Sequence, residues 1–225
     1  MDAIEHYDDA YYETHYSRIW RDPSYYQCQA QYWRHVIFER NQLDATARVL
    51  DYGSGLGQVS AALPNRACFD VSPEARAFMR GKGAVVFDRP EDIPTEGFDA
   101  VLCSHTLEHH ADPQQSLISF LRFVKPGGTL ILALPVEVNL STALQSDSDR
   151  HFYAWTFQTI SNLLRHVGWV PVRQNMVHGS WLLATLGSRL RLPMQFAVRL
   201  SATLGRWRRE YPTLLTVATK DAANG

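Results

Sequence analysis

Cysteine is scarce in this chain of 225 residues: Cys28, Cys68 and Cys103 stand far apart, with no C-x-x-C pair. That spacing excludes a disulfide framework and a zinc knuckle, and reduced thiols in a cytoplasmic protein are the expectation. Long apolar runs are missing as well; none approaches the length of a membrane span. The opening stretch MDAIEHYDDAYY is acidic and aromatic, unlike the basic-then-apolar pattern of a secretory signal. There is no internal repeat and no low-complexity tract. Acidic residues vanish between Asp149 and Glu210, where arginine recurs from Arg150 to Arg209. A basic C-terminal third on an otherwise acidic chain predicts a surface that meets anions, whether lipid headgroups, phosphates or a partner. The remaining surface is too weakly basic to track a nucleic-acid backbone, so that partner is set aside.

What is present is alternation. Short apolar runs (ARVLDY, RACFDV, AVVFD, FDAVLCS, GTLILALP, WVPVRQNMV and TLLTVATK) alternate with stretches of helical period (QVSAALP, SPEARAFMRGKG, PQQSLISFLRFVKPGG and TFQTISNLLRHVGW). This is the signature of βα units and a mostly parallel sheet. Ser72-Pro73 and Asp112-Pro113 read as helix starts, a capping side chain followed by proline at the first helical position. The length allows one large α/β domain and not two. Its expected parts are a helical, aromatic-rich segment over 1–45, a core over 46–177, a basic helical insert over 178–210 and a last strand over 211–220.

The stretch VLDYGSGLGQ places Gly53, Gly55 and Gly57 at every second position after an apolar run. A strand that ends in glycines brings backbone N–H groups close to a ligand, and a following helix would aim its N-terminus there. Asp70 ends the next strand, nineteen residues after Asp51, where a carboxylate can accept from both hydroxyls of a ribose. A pyrophosphate would be repelled by Asp51, whereas an ammonium group would be attracted. The pattern therefore favours S-adenosylmethionine over a nicotinamide dinucleotide. A nucleotide-linked oxidoreductase and a catalytically silent S-adenosylmethionine-binding protein are the rival readings.

Five stretches in order, VLDYGSGLGQ, CFDVSPEARAFM, FDAVLCSHTLEHHADPQQSL, VKPGGTLILALP and HFYAWTFQTISNLLRHVGW, resemble the motifs of class I S-adenosylmethionine-dependent methyltransferases. The resemblance implies a Rossmann-like, doubly wound, mostly parallel sheet of about seven strands, with an N-terminal helical lid and a helical insert before the last strand. It implies that Gly53, Gly55 and Gly57 pass under the methionine part of the cofactor, with Asp51 near its ammonium and Asp70 on the ribose. Asp88 would face the adenine amine, with Arg89 as its rival because RPEDIP is one residue longer than the usual pattern. Ser104 and His105 would lie beside the sulfonium. Arg34 is similar to an arginine of the ubiquinone-pathway O-methyltransferases that pairs with the methionine carboxylate; a solvated helix arginine is the alternative.

Methyl transfer to a hydroxyl needs an aligned acceptor and a base, and histidine is the usual base near neutral pH. His151 follows the long loop after the fifth strand, on the edge where open α/β sheets place their ligands, and is the first candidate. Tyr153 is a weaker second, and His105 and His109 in SHTLEHH are further candidates, His109 reading equally as a structural hydrogen bond at a helix start. Some methyltransferases bind a divalent ion through E-x-x-E-H; here the first glutamate is His105, giving H-x-x-E-H, and no metal is expected. The acceptor is a small molecule: a sugar or glycan intermediate, a phenol of quinone type or another secondary metabolite, methylated on oxygen, with an amine as the alternative. The tyrosine-rich N-terminus is expected to fold over the cofactor or to pack on the sheet edge. The stretch 187–209 reads as a lid, a homodimer contact or a peripheral contact with anionic membrane.

Overall fold

Along each inner strand, alternate side chains feed two different cores, and that alternation fixes the architecture. In the computed structural model, which describes residues 9–137, 151–180 and 193–220, seven strands form one sheet. They are β1 (Val49–Tyr52), β2 (Arg66–Phe69), β3 (Val85–Phe87), β4 (Phe98–Ser104), β5 (Val124–Pro135), β6 (Trp169–His178) and β7 (Pro212–Lys220). Their order is β3-β2-β1-β4-β5-β7-β6. The first five run parallel, and β7 enters antiparallel between β5 and β6. The mostly parallel sheet expected from the alternation is present.

Helices α1 (Asp9–His15), α2 (Ser17–Arg21) and α3 (Pro23–Trp33) precede the sheet, and α3 runs on through a π-turn at Arg34–Phe38. Helices α4 (Pro73–Gly81), α5 (Pro113–Phe123) and α6 (Phe157–His166) follow β2, β4 and the long loop. Helix α7 (Met194–Arg208) lies between β6 and β7. Leu50, Val101, Cys103, Leu130 and Leu132 pack against Phe120 and Phe123 of α5 and Ile160 and Leu164 of α6. Val49, Ala100, Leu102, Ile131 and Leu215 pack against Val36, Ile37 and Phe38 of the π-turn and Val198 and Ala202 of α7. Both predicted caps form: Ser72 Oγ accepts from Ala75 N (3.2 Å) and Asp112 Oδ1 from Gln115 N (2.9 Å).

One expectation needs correction. QVSAALP is not a helix; the chain passes from β1 to β2 through turns alone. Three left-handed glycines at alternate positions, Gly53, Gly55 and Gly57, and Pro64 leave too little of that short connection for a helical run. Helix α7 packs mainly through small side chains. The helix buries Ala197, Val198, Ser201, Ala202 and Gly205 and turns Phe196 and Trp207 outward. Residues 181–192 of the expected insert over 178–210 lie outside the described residues. Among the described residues, no helix is long and apolar enough to cross a membrane.

Small side chains let α7 approach closely. A Cβ on Gly205 would stand 2.2 Å from the Gly179 carbonyl oxygen, a backbone atom that cannot step aside. Gly205→Ala is therefore expected to destabilise the fold by about 1–3 kcal/mol. Gly81→Ala, whose Cβ would meet nothing within 4 Å, should be neutral or stabilising by up to about 1 kcal/mol. Denaturant unfolding of both variants checks the contrast.

Candidate functional site

The glycine turn after β1 is left-handed at all three glycines, with φ of 69°, 52° and 70° at Gly53, Gly55 and Gly57. Protein packing accounts for two of them. A Cβ on Gly53 would fall 2.0 Å from Thr106 Cγ2, and one on Gly57 would fall 3.2 Å from the Met79 thioether. Gly55 differs: its Cβ would enter open space. The N-terminal segment closes the outer side of this turn. Tyr26 Oη donates to Leu56 O (3.1 Å), and Tyr12, Leu56 and Ala75 share one cluster with Tyr16, Trp20 and Phe78.

Two carboxylates sit at the strand tips beside the turn. Asp70 is 7% exposed, accepting from Gly55 N at 2.7 Å and Ser72 N at 2.9 Å. Burial raises its pKa above the usual carboxylate range. Each oxygen keeps lone-pair capacity for a further donor. Asp51 is 1% exposed, and its Oδ2 has no hydrogen-bond partner. Burial pushes Asp51 up to about 7; Ser60 and Arg66 work against that and Asp70 adds to it. An orphaned anionic oxygen beside an open glycine fits a ligand that brings an ammonium group, as the expected cofactor does.

The other cofactor candidates are engaged by protein. Asp88 is exposed and pairs with Arg80 (2.7 Å) and Arg76 (3.3 Å); the Arg80 hydrogen bond holds its carboxyl below the usual range. Arg89 pairs with Asp92 at 2.9 Å. Arg34, in the π-turn, faces Glu39 at 3.5 Å. Ser104 ends β4, and its carbonyl accepts from Thr106 Oγ1 at 3.0 Å.

Histidines gather at the tips of β4 and β5. His105 takes a left-handed φ of 49°, uncommon for a side chain with a Cβ. Its backbone N donates to Ala133 O (2.8 Å), and its Nε2 lies 3.2 Å from Thr213 Oγ1. His105 is an exposed residue whose ring is nevertheless crowded by protein. That crowding and the neighbouring His151 push its pKa down to about 4. His109 and His151 meet edge to face, 4.6 Å between ring centres. His151 Nδ1 is paired with the Glu137 carboxylate. Burial lowers the His151 pKa, and the facing carboxylate pulls the other way. Phe152 N donates to Glu108 O (2.9 Å), and Tyr153 Oη to Ala111 O (3.0 Å), so Tyr153 anchors the returning chain.

Glu108 is fully buried and neither carboxylate oxygen has a partner; burial pushes its pKa up to about 7. Ligand atoms of Glu108, His109 and His151 lie within 4.8 Å of one another. Of the H-x-x-E-H stretch, the fold gathers Glu108 and His109 with His151, while His105 stands before the 3-10 turn at Leu107–His109. Sequence reasoning missed Glu137, fourteen residues from His151 and carrying no local motif.

Residues 24–174 match the family described as "Methyltransferase domain". A ubiquinone biosynthesis O-methyltransferase of Xanthomonas oryzae pv. oryzae is 36% identical over 103 residues, which are 40% of this chain and 43% of that protein. A demethylmenaquinone methyltransferase of Clavibacter sepedonicus is 30% identical over 114 residues, 45% of this chain and 46% of that protein. The chain thus matches less than half the length of these curated relatives. Among solved structures, the 1,6-didemethyltoxoflavin-N1-methyltransferase of Burkholderia thailandensis, with bound 1,6-didemethyltoxoflavin and S-adenosylhomocysteine, superposes with a TM-score of 0.58. It is 18% identical, and the match covers 97% of this chain and 88% of that one. The fold is shared, and the family match spans more than half of the sequence: this chain belongs to the methyltransferase-domain family.

Proposed function

We propose that the protein transfers a methyl group from S-adenosylmethionine to a hydroxyl of a small acceptor, with His151 as the base. Bound cofactor supplies an activated methyl on a sulfonium. On this reading Asp51 receives its ammonium, Asp70 its ribose hydroxyls, and the Gly55 backbone lies against it. The observation that carries the proposal is the His151–Glu137 pair. With Glu137 accepting from Nδ1–H, His151 Nε2 is left to take the acceptor's hydroxyl proton, and the carboxylate then stabilises the imidazolium. Both curated relatives carry quinone-pathway names, which favours a phenolic acceptor. The toxoflavin enzyme is an N-methyltransferase, so an amine acceptor is the second possibility for the same site.

His151→Ala is expected to cut turnover by about 10²–10⁴-fold while S-adenosylhomocysteine affinity stays near wild type. Glu137→Gln should lower turnover less and shift the ascending limb of the pH–rate profile. Near-full turnover with an unchanged limb in His151→Ala would remove the base and leave the amine acceptor. A second reading rests on the Glu108, His109 and His151 grouping, whose nitrogen-rich donors suit a divalent transition metal. Elemental analysis of the purified protein and activity after chelation decide it: stoichiometric metal with chelator-sensitive activity favours metal, and full activity without metal favours the base.

Asp51 gives a pH test of the cofactor end. Its folded pKa of about 7 exceeds its unfolded value of about 3.9, so the folded state holds the extra proton between those limits. The Asp51 contribution to stability therefore falls as pH rises through that window. An ammonium-bearing ligand favours ionised Asp51, so S-adenosylhomocysteine affinity should rise from pH 5.5 to 7.5 in the wild type and stay flat in Asp51→Asn. Free wild-type protein should lose more thermal stability than the variant over the same range. Shifts from Glu108 and His105 are common to both proteins and cancel in the comparison.

A further inference from the structure

A small cavity of about 70 Å3 opens at the end of β6, between the turn after α3 and the last turn of α7. Three separate elements line it with Arg40, Arg206 and His178. Its floor is rigid: Asn175 Nδ2 donates to Asn41 Oδ1 (2.6 Å), and Asn41 Nδ2 donates to Val36 O and Ile37 O. Tyr32 Oη donates to His178 O at 2.6 Å and fixes the strand end.

The electrostatics of the niche lack a partner. Among the described residues, Arg40, Arg206 and Arg209 take part in no ion pair. Glu39, next to Arg40, is turned to Arg34 and His35, and Glu210 pairs with Arg208 at 3.1 Å. No acidic residue occurs from 150 to 209 to neutralise the others. Arg206 finds some compensation in the carbonyl end of α7, but two guanidinium groups on one small polar cavity repel each other. His178 registers this: its pKa is lowered by burial first and then by Arg209, Arg206 and Arg40. Its Nδ1 is buried without a hydrogen-bond partner.

We propose that Arg40, Arg206 and His178 form a subsite for a single oxyanion group, a carboxylate or phosphate, carried by the methyl acceptor. Guanidinium forks match such groups bidentately. The cavity is far below the roughly 300–1,000 Å3 of a whole-ligand pocket, so it takes a group and not a nucleotide. Its position fits an anchor beside the reacting centre. His178 pairs with Pro212 and Val177 with Thr213 in the β6–β7 ladder, and Thr213 is the residue His105 contacts. The acceptor assignment rests on the methyl-transfer reading; the oxyanion subsite itself does not.

The test titrates inorganic phosphate into the full-length protein loaded with S-adenosylhomocysteine, at constant ionic strength, and reads binding by calorimetry and thermal shift. Wild type should show saturable stabilisation beyond that of matched chloride. Arg40→Ala and Arg206→Ala should each weaken phosphate about tenfold or more, with S-adenosylhomocysteine affinity unchanged. Arg199→Ala, exposed on α7 away from the cavity lining, should bind phosphate as wild type does. No saturable effect, or equal weakening by Arg199→Ala, would overturn the subsite. Vesicles containing phosphatidylglycerol form a separate arm. Binding to them that depends on Phe196 and Trp207, with no saturable phosphate site, assigns the arginines to a lipid surface and overturns the proposal. Failure to bind S-adenosylhomocysteine would remove the methyl-transfer reading and leave the phosphate result standing.

Discussion

Burying the Asp51 carboxylate at the tip of β1 leaves one oxygen without a donor, and the cofactor end of the sheet is arranged around that deficit. A carboxylate taken out of water costs several kcal/mol unless a cation or donors replace the lost hydration. Ser60 and Arg66 replace part of it, and Asp70 on the neighbouring strand opposes them. The parallel register sets Tyr52 beside Phe69, so both acids end at the same edge. Such an edge is least stable with two bare carboxylates and most stable with a cation between them. On the proposed reading, a cationic cofactor bound at this edge contributes to folding stability as well as supplying the methyl group.

The same edge gathers the histidines by topology. Strands β4 and β5 pair through Ser104 and Ala133, so the segment after β4 and the loop after β5 leave the sheet side by side. His105 and Glu108 ride on the first and Glu137 on the second, and His151 comes back from that loop to meet them. A side chain on a returning loop keeps its geometry only if the loop is tied down. The Phe152–Glu108 and Tyr153–Ala111 bonds provide the tie. The strained His105 backbone then has a physical origin: the chain must turn sharply off β4 while its amide still reaches Ala133.

The strands were legible because parallel strands buried on both faces read as continuous apolar runs, and Ser-Pro and Asp-Pro mark helix starts without tertiary information; the order of the strands, which depends on pairing at long range, was not. The candidate residues were legible as types, Asp51, Asp70 and His105 at or just past strand ends and His151 on the returning loop. Their partners were not. Glu137 has no local signature, since its meaning depends on a loop closing over fourteen residues. Glycine at 53 and 57 looks like ligand clearance in one dimension, yet Thr106 and Met79 fill that space. The expected helix after the turn failed because seven residues of weak period cannot outweigh the left-handed glycines before them.

Helix α7 packs by its small residues. A stripe of leucine and tryptophan is conspicuous in sequence, whereas alanine, serine and glycine are not. Close approach to β6 demands the small residues, because any Cβ at Gly205 meets the Gly179 carbonyl. Choosing that face rotates the arginines of α7 outward and sets Arg206 over the end of β6, opposite Arg40. The cationic niche therefore follows from backbone packing at one glycine. A helix docked instead by its leucine stripe would carry Arg206 elsewhere and leave Arg40 alone beside His178. Steric choice of helix face and electrostatic character of the sheet edge are consequently one constraint, since both are set by how closely α7 approaches β6.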